Sequence, residues 1–288
     1  MGDYILTQRD LEEAPLFPDR VAYGGWPIDL HPPKGIYEAG KPACMHPLPR
    51  PYSIPFRCLY SRNVDNLLFA GRNISASHVA FGSTRLMATG AVMGQAAGTG
   101  AFLCVRHRTT PRGVYREHIW ELQQLLLKHD AYIIGIENED PDDLARRAAV
   151  RASSFREGFP PEKVVDGMFR PEDGDFHQWA SDPSEPLPQW IELDFGRTVR
   201  VGAVYLTFDT NLDKLVEFGP APECVRDYTL SVWRDGKWVP VVRERGNYHR
   251  RRIHRFGPIA TSRIRLTVEA TNGDLSARVY EIRCYERG

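Results

Sequence analysis

Three side chains in the first third of the sequence have the chemistry of a reaction centre. His78 stands in a polar, glycine-bearing loop between an apolar strand and a long uncharged helix. An imidazole with an ordinary pKa near ~6.5 exchanges a proton at neutral pH, so it suits the base that takes a hydroxyl proton. Arg85, where that helix starts, can anchor an anionic or carbonyl oxygen. His31, after Trp26-Pro27-Ile28-Asp29, is a second candidate base. Each also has a structural reading: a loop-bonded histidine for His78 or His31, and a salt bridge at the helix start for Arg85. Arg57 reads as structural.

The elements that must position these groups form a strand–glycine–helix unit. Asn66-Leu-Leu-Phe-Ala-Gly-Arg72 reads as a buried strand that delivers Gly71 where a backbone approaches something closely, which a Cβ would prevent. The uncharged stretch Leu86–Val105 reads as a buried helix beginning near Ser83–Met87. Its first amides carry partial positive charge and suit a phosphate or an electron-rich carbonyl. Gly90, Gly94 and Gly98 share one face of it. Each glycine costs about 1 kcal/mol against alanine in a helix, so such a stripe implies something packing on the backbone. A membrane-spanning helix with glycine packing is the rival reading. Thr89, Gln95, Thr99 and the glycines make the stretch poorly hydrophobic, which favours a core helix and no membrane span. A second helix is expected from roughly Val114 to Lys128, with Ile119, Leu122, Leu125 and Leu126 on its apolar side.

Residues 66–98, NLLFAGRNISASHVAFGSTRLMATGAVMGQAAG, resemble the carboxy-terminal flavin motif of FAD-dependent oxidoreductases of the glutathione-reductase-like superfamily. They are most similar to a group of bacterial, often secreted, dehydrogenases. Gly24-Gly-Trp-Pro-Ile-Asp-Leu-His31 and Tyr52-Ser-Ile-Pro-Phe-Arg57 extend the resemblance over roughly residues 18–150. Arg85-Leu-Met-Ala-Thr89 also resembles the stretch around the substrate-side arginine of the fumarate reductase and aspartate oxidase branch. The resemblance implies FAD as cofactor, with Gly71, Arg72 and Asn73 at its linker and Met87, Ala88 and Thr89 near the isoalloxazine. It implies hydride transfer to FAD from a sugar-like or other hydroxylated small molecule, for which His78 and His31 remain the candidate bases. The strand–GxGxxG–helix unit that such enzymes use for the adenosine half is lacking; Gly98-Thr-Gly100 lies inside the helix and does not qualify. The flavin domain is therefore expected to be incomplete, completed by an amino-terminal FAD-binding segment, and alone to be inactive and to bind FAD weakly or not at all. If that segment carried a signal, a secreted or periplasmic location follows.

From residue 150 onward the pattern changes to short alternating runs: Trp190–Phe195, Val201–Phe208, Tyr228–Trp233, Lys237–Val242, Arg263–Glu269 and Val279–Tyr285. Arg234-Asp-Gly-Lys237 reads as a two-residue hairpin turn. Strands without intervening helices indicate a β-sandwich. Ala152-Ser-Ser-Phe155, Pro161-Glu-Lys-Val-Val-Asp-Gly167, His177-Gln-Trp-Ala-Ser181, Trp190-Ile-Glu-Leu-Asp-Phe-Gly196 and Tyr280-Glu-Ile-Arg283 resemble the discoidin or coagulation-factor C-type family. That resemblance implies a jelly-roll sandwich that binds carbohydrate through an exposed loop aromatic, with Trp179 and Trp190 in the core. It further implies a calcium site at Asp166 and Glu281. The expected architecture is α+β: an oxidoreductase part over 1–139, a linker helix over 140–149 opened by Asp140 and Pro141, and the sandwich over 150–288.

The remaining composition excludes more than it suggests. Lysine plus arginine balances aspartate plus glutamate at 37 each, so no global field draws the 288-residue chain to nucleic acid. The basic run Tyr248–Arg255 reads as a solvated strand face. Five scattered cysteines without a CxxC pair indicate neither a zinc ribbon nor a dithiol. A binding protein whose flavin part is a remnant stands as the alternative to an enzyme.

Overall fold

The computed structural model describes residues 1–40, 43–172, 174–212 and 218–287, which divide into two compact units, Met1–Ile136 and Glu137–Gly288. Each has its own hydrophobic interior, and together they are α+β.

In the first unit, α1 (Gln8–Glu13) precedes β1 (Arg20–Gly24), β2 (Ile28–Leu30), β3 (Cys44–His46) and β4 (Tyr52–Pro55). β1 pairs antiparallel with β4, and β2 with β3. The helices α2 (His78–Thr84), α3 (Met87–His107), α4 (Pro111–Glu117) and α5 (Ile119–Lys128) follow. Val21, Ile54, Phe56, Met93, Leu103, Leu122 and Leu126 are fully buried. Asp19, 1% exposed, accepts Nε and Nη2 of Arg57 at 2.9 Å each, and that guanidinium lies 5.2 and 5.3 Å from the rings of Tyr4 and Tyr115. Arg57 is thus the centre of a buried, aromatic-flanked ion pair.

Three sequence expectations change here. Asn66–Arg72 is no buried strand: it makes one antiparallel bridge, Tyr60 to Leu68, and Leu67 is exposed. The ladder stops because Gly71 turns away at φ +79° into a 3-10 turn, Gly71–Asn73. The uncharged helix is buried along one stripe only, Thr89, Met93, Ala96, Ala97, Gly100 and Leu103. Met87, Phe102 and Val105 are exposed on it, and by length and composition alone it is the one helix among the described residues able to cross a bilayer. The second expected helix is two, broken at His118, whose φ of −131° leaves the helical range.

The second unit contains β5 (Ala149–Ala152), β6 (Trp179–Ala180), β7 (Gln189–Phe208), β8 (Val225–Arg234), β9 (Lys237–Glu244), β10 (Arg251–Thr271) and β11 (Arg278–Tyr285). The two long strands belong to both layers of the sandwich. The first part of β7 pairs with β5, and the second part pairs with β11. β10 pairs with β7 throughout, but only its later half pairs with β8. The layers are therefore β5-β7-β10-β8-β9 and β6-β11-β7-β10. They change over at Gly196 (φ +65°) and at register shifts between Arg255 and Ile259 and between Thr261 and Arg263, as bulges do at sheet corners. Trp179, Leu193, Val204, Leu206, Tyr228, Leu266 and Ile282 fill the interior. The β8–β9 turn has the positive φ of a type I′ hairpin at both Asp235 (51°) and Gly236 (77°), as its Asp-Gly sequence predicts.

The segment expected to open a helix at Asp140 makes a turn and then a 3-10 helix, Leu144–Arg147. Asp143 decides this. Its carboxylate is 5% exposed and accepts Ala145 N at 3.0 Å, Cys284 N at 2.9 Å and Asn138 Nδ2 at 2.8 Å, so the segment is tied to the last strand of the sandwich. Burial pushes that carboxyl up to about 6.

Trp190 is only half-buried, on an outer face. Arg265 lies 4.2 Å from its ring and 4.3 Å from Trp238, while Arg263 lies 4.0 Å from Trp233. Both arginines reach Glu192, which is fully buried and is also gripped by Arg151. Burial opposes ionisation of Glu192, but the Arg151 and Arg265 guanidiniums outweigh it and hold the carboxyl below its ordinary value of 4.5. A depressed carboxyl stabilises the fold fully above its unfolded pKa, and the contribution is lost as pH falls through the folded value. Glu192→Gln is expected to destabilise the second unit by about 3 kcal/mol near neutral pH. It should also flatten the loss of stability below pH ~4.5; denaturant melts of both proteins across that range measure the two effects.

Candidate functional site

A directional hydrogen-bond chain builds the first wall of the site. Burial raises the Tyr52 hydroxyl to about 12, so it stays protonated and donates to Ser83 Oγ at 2.8 Å. Ser83 in turn donates to the carbonyl of Trp26 at 2.5 Å. The chain links β4, α2 and the loop after β1. It requires glycine at position 24, where a Cβ would stand 2.4 Å from the Tyr52 hydroxyl oxygen.

The loop so held faces the first turn of α3. Gly25 and Trp26, with Met87, Ala88 and Thr89, line a cleft of about 450 Å³. Leu86 at the N-cap offers no side-chain acceptor, and Gly90 makes the first main-chain bond of the helix, to Leu86 O. The amides of Met87, Ala88 and Thr89 therefore have no helix carbonyl to bond. A Cβ on Gly90 would lie 3.6 Å from Gly71 Cα, and Gly71 itself has open space around it. Gly71 and the Met87–Thr89 turn are thus brought to one place. Arg72 and Asn73 are exposed, with the Arg72 guanidinium 5.4 Å from the ring of Phe81. Gly94 and Gly98 continue the stripe with nothing within 4 Å.

A second cleft, also about 450 Å³, is lined by His31 and His78 together with Leu30, Pro32 and Cys44. His78 is not in the loop but is the first residue of α2, capped by Ser77. The Ser77 hydroxyl captures Ala80 N at 3.3 Å and so starts the helix one residue before the histidine. Arg85 closes the C-terminal end of α2 and donates to Asp29 Oδ2 at 2.9 Å, and His31 Nε2 stands 3.2 Å from the same oxygen. Asp29 Oδ1 is buried and has no hydrogen-bond partner among the described residues. The salt-bridge reading of Arg85 is therefore realised, with Asp29 as the partner sequence reasoning overlooked. Its signal was its position between the two motif residues Trp26 and His31.

In the sandwich, Tyr248, 61% exposed, opens on a cleft of about 670 Å³ with Thr210, Asn211, Pro220 and Asn272. Asn272 is fixed by donating to the carbonyls of Cys224 and Asn247 at 2.9 and 3.0 Å. Asp166 and Glu281 do not fit a calcium site. Asp166 Oδ2 is 2.7 Å from His177 Nδ1 and 3.8 Å from Lys163 Nζ. Glu281 Oε2 is 2.8 Å from Arg283 Nε and 3.5 Å from Arg251 Nη1. Glu281 Oε1 has no hydrogen-bond partner among the described residues, yet positive side chains already surround the carboxylate.

Comparison with known proteins matches two stretches of the chain to two families. Residues 1–126 match the FAD dependent oxidoreductase family, and residues 149–281 match the F5/8 type C domain. No curated protein matches the chain. Solved structures that match include the family 32 CBM from C. perfringens NanJ in complex with galactose, 19% identical over 50% of this chain and 98% of that one, with a TM-score of 0.41. A Streptococcus pneumoniae fucose binding module is 14% identical, over 52% of this chain and 99% of that one, at a TM-score of 0.43. Chitosan-binding module 1 of a chitosanase/glucanase from Paenibacillus sp. IK-5 is 21% identical, over 50% and 98%, at 0.40.

The same substitution should act with opposite sign at two glycines. Gly24→Ala collides with Tyr52 and is expected to destabilise the first unit by about 1–3 kcal/mol. Gly94→Ala meets open space and is expected to stabilise α3 by about 0.5–1 kcal/mol. Equilibrium denaturation of the two variants checks both.

Proposed function

We propose that the first unit holds the isoalloxazine side of FAD and oxidises a hydroxylated small molecule, and that the second unit binds carbohydrate. The observation that carries the flavin reading is the cleft between Trp26 and the uncapped turn Met87–Thr89. Tyr23 and Trp26 form its aromatic wall, and the uncapped first turn of α3 with Leu86 and Val92 forms the other. FAD supplies a two-electron acceptor when bound. The amides of Met87, Ala88 and Thr89 point their partial positive charge at an electron-rich carbonyl edge. Gly71 allows close approach of the linker, with Arg72 and Asn73 beside it. His78 and His31 line the cleft where the hydroxyl proton leaves. His31 Nε2–H is held by Asp29, which leaves Nδ1 as the acceptor nitrogen. Arg85, half-buried on the same aspartate, presents the remaining face of its guanidinium to a substrate oxygen.

Adding FAD to the purified chain is expected to quench the fluorescence of Trp26, and Ala88→Trp, which fills the cleft from an exposed helix position, should weaken FAD binding at least tenfold. Equal binding by both proteins rules the flavin reading out.

For the sandwich, the exposed Tyr248 ring is the sugar-stacking surface, and Asn211 and Asn272 are the polar groups that address hydroxyls. An aromatic platform with a few fixed polar groups is the ordinary composition of a small-ligand cleft. Tyr248→Ala is expected to abolish binding on a glycan array without lowering Tm; retained binding places the carbohydrate elsewhere.

A further inference from the structure

At the far end of α3 from the flavin cleft, three side chains converge without a role in the reading above. His107 closes α3, His118 sits at the break between α4 and α5, and Glu121 is on the first turn of α5. One donor atom from each lies within 4.8 Å of the others. Glu121 Oε2 is 2.7 Å from His107 Nε2 and 3.7 Å from His118 Nδ1. We propose that these residues form a transition-metal site, with zinc(II) as the ion it fits best.

Two imidazoles and one carboxylate are a zinc donor set that leaves the fourth position to water. Tetrahedral zinc with bonds of about 2.0–2.1 Å separates its donors by about 3.3–3.4 Å, which falls between the two distances already present. The ligands come from the end of α3, the break between α4 and α5 and the first turn of α5, so the set is completed by side-chain rotation. The two rings stack at 3.9 Å with an interplanar angle of 9°, and a shared metal must lie in the plane of both. One ring must therefore leave the stack, and its partial exposure permits this (28% for His107, 24% for His118). Arg106 Nη1, 3.4 Å from Glu121 Oε1, is the competing cation, and being 55% exposed it can swing into water. The His118 break in the helix gains a reason: a continuous α4–α5 helix would not hold that imidazole against the end of α3. Bound metal would clamp α3 to the α4–α5 junction.

Zinc titrated calorimetrically into the chelator-treated full chain is expected to bind with one equivalent and to raise Tm. His118→Ala and Glu121→Gln should each weaken binding at least tenfold, while retaining the metal-free circular dichroism spectrum. Cys44→Ser is the control, because Cys44 Sγ and His46 Nε2, 3.4 Å apart, are another exposed pair of zinc ligands. Cobalt(II) should give a four-coordinate visible spectrum without a thiolate charge-transfer band, in both the natural chain and Cys44→Ser. Absence of zinc binding, binding unchanged in His118→Ala and Glu121→Gln, or binding lost with Cys44 overturns the site.

Discussion

The geometry of the cleft beside α3 depends on one buried proton chain, from the Tyr52 phenol through Ser83 to the carbonyl of Trp26. A hydroxyl taken out of water without a partner costs about 1–3 kcal/mol, so both hydroxyls must be satisfied where they stand. Ser83 satisfies Tyr52 only as an acceptor, and then has its own proton to place. The Trp26 carbonyl takes it, which fixes the loop after β1 against the end of α2. Gly24 makes the approach possible, because any side chain there would occupy the position of the phenol oxygen. The cleft beside α3 is therefore shaped by buried polar geometry as much as by apolar packing. Such geometry is intolerant of rotation, which suits the recognition of a planar group.

The sandwich rests on a different constraint. Strands β7 and β10, 20 and 21 residues long, run through both layers, so each layer would lose its central strands without the other. Bulges at Arg255–Ile259 and Thr261–Arg263, with Gly196 opposite, let a paired ribbon turn the corner while keeping its inward side chains inward. Just before that corner Glu192 is buried, and three arginines from β5 and β10 neutralise it. Two of them, Arg263 and Arg265, then cover Trp190, Trp233 and Trp238 on the outer face, where the indoles would otherwise be more fully wetted.

Much of this was legible in the residues. Alternation located the strands of the sandwich, and the Asp235-Gly236 turn fixed one hairpin register, because both signals are local. The long helix and the 114–128 stretch were found for the same reason, although the His118 break was not, and the six- and seven-residue helices α1 and α2 are too short for periodicity to mark. Trp190 misled because an indole is apolar by type, and only the pairing of β7 with β10 shows that Arg265 covers it. Asp140 and Pro141 carry good helix-start chemistry, but Asp143 is claimed by Cys284, 141 residues away, and that contact decides the local conformation. Asp166 and Glu281 have the right chemistry for calcium; their arginine, lysine and histidine neighbours are a fact of tertiary structure. Gly71 does lie beside the first turn of α3, against Gly90, although Asn66–Arg72 forms no strand to deliver it. The partners that complete the cleft, Gly25 and Trp26, come from a distant part of the chain. Asp29 joins His31 to Arg85 in the same way.

Helix α3 shows why local preference alone does not account for this sequence. Its buried stripe is ordinary: Met93, Ala96 and Leu103 pack inward, and Gly100 admits the ring of Phe56, whose Cζ would stand 2.8 Å from a Cβ there. Gly94 and Gly98 are different, for a Cβ on either meets nothing. Each lowers helix stability by about 1 kcal/mol relative to alanine, and no contact within the unit offsets this. Gly90, in the same row, does have a neighbour, the backbone of Gly71. The row thus begins at a close backbone approach beside the free amides of Met87–Thr89 and continues over an open surface. A helix selected for stability alone would carry alanine at 94 and 98; keeping glycine there maintains a bare backbone surface running from the mouth of the cleft.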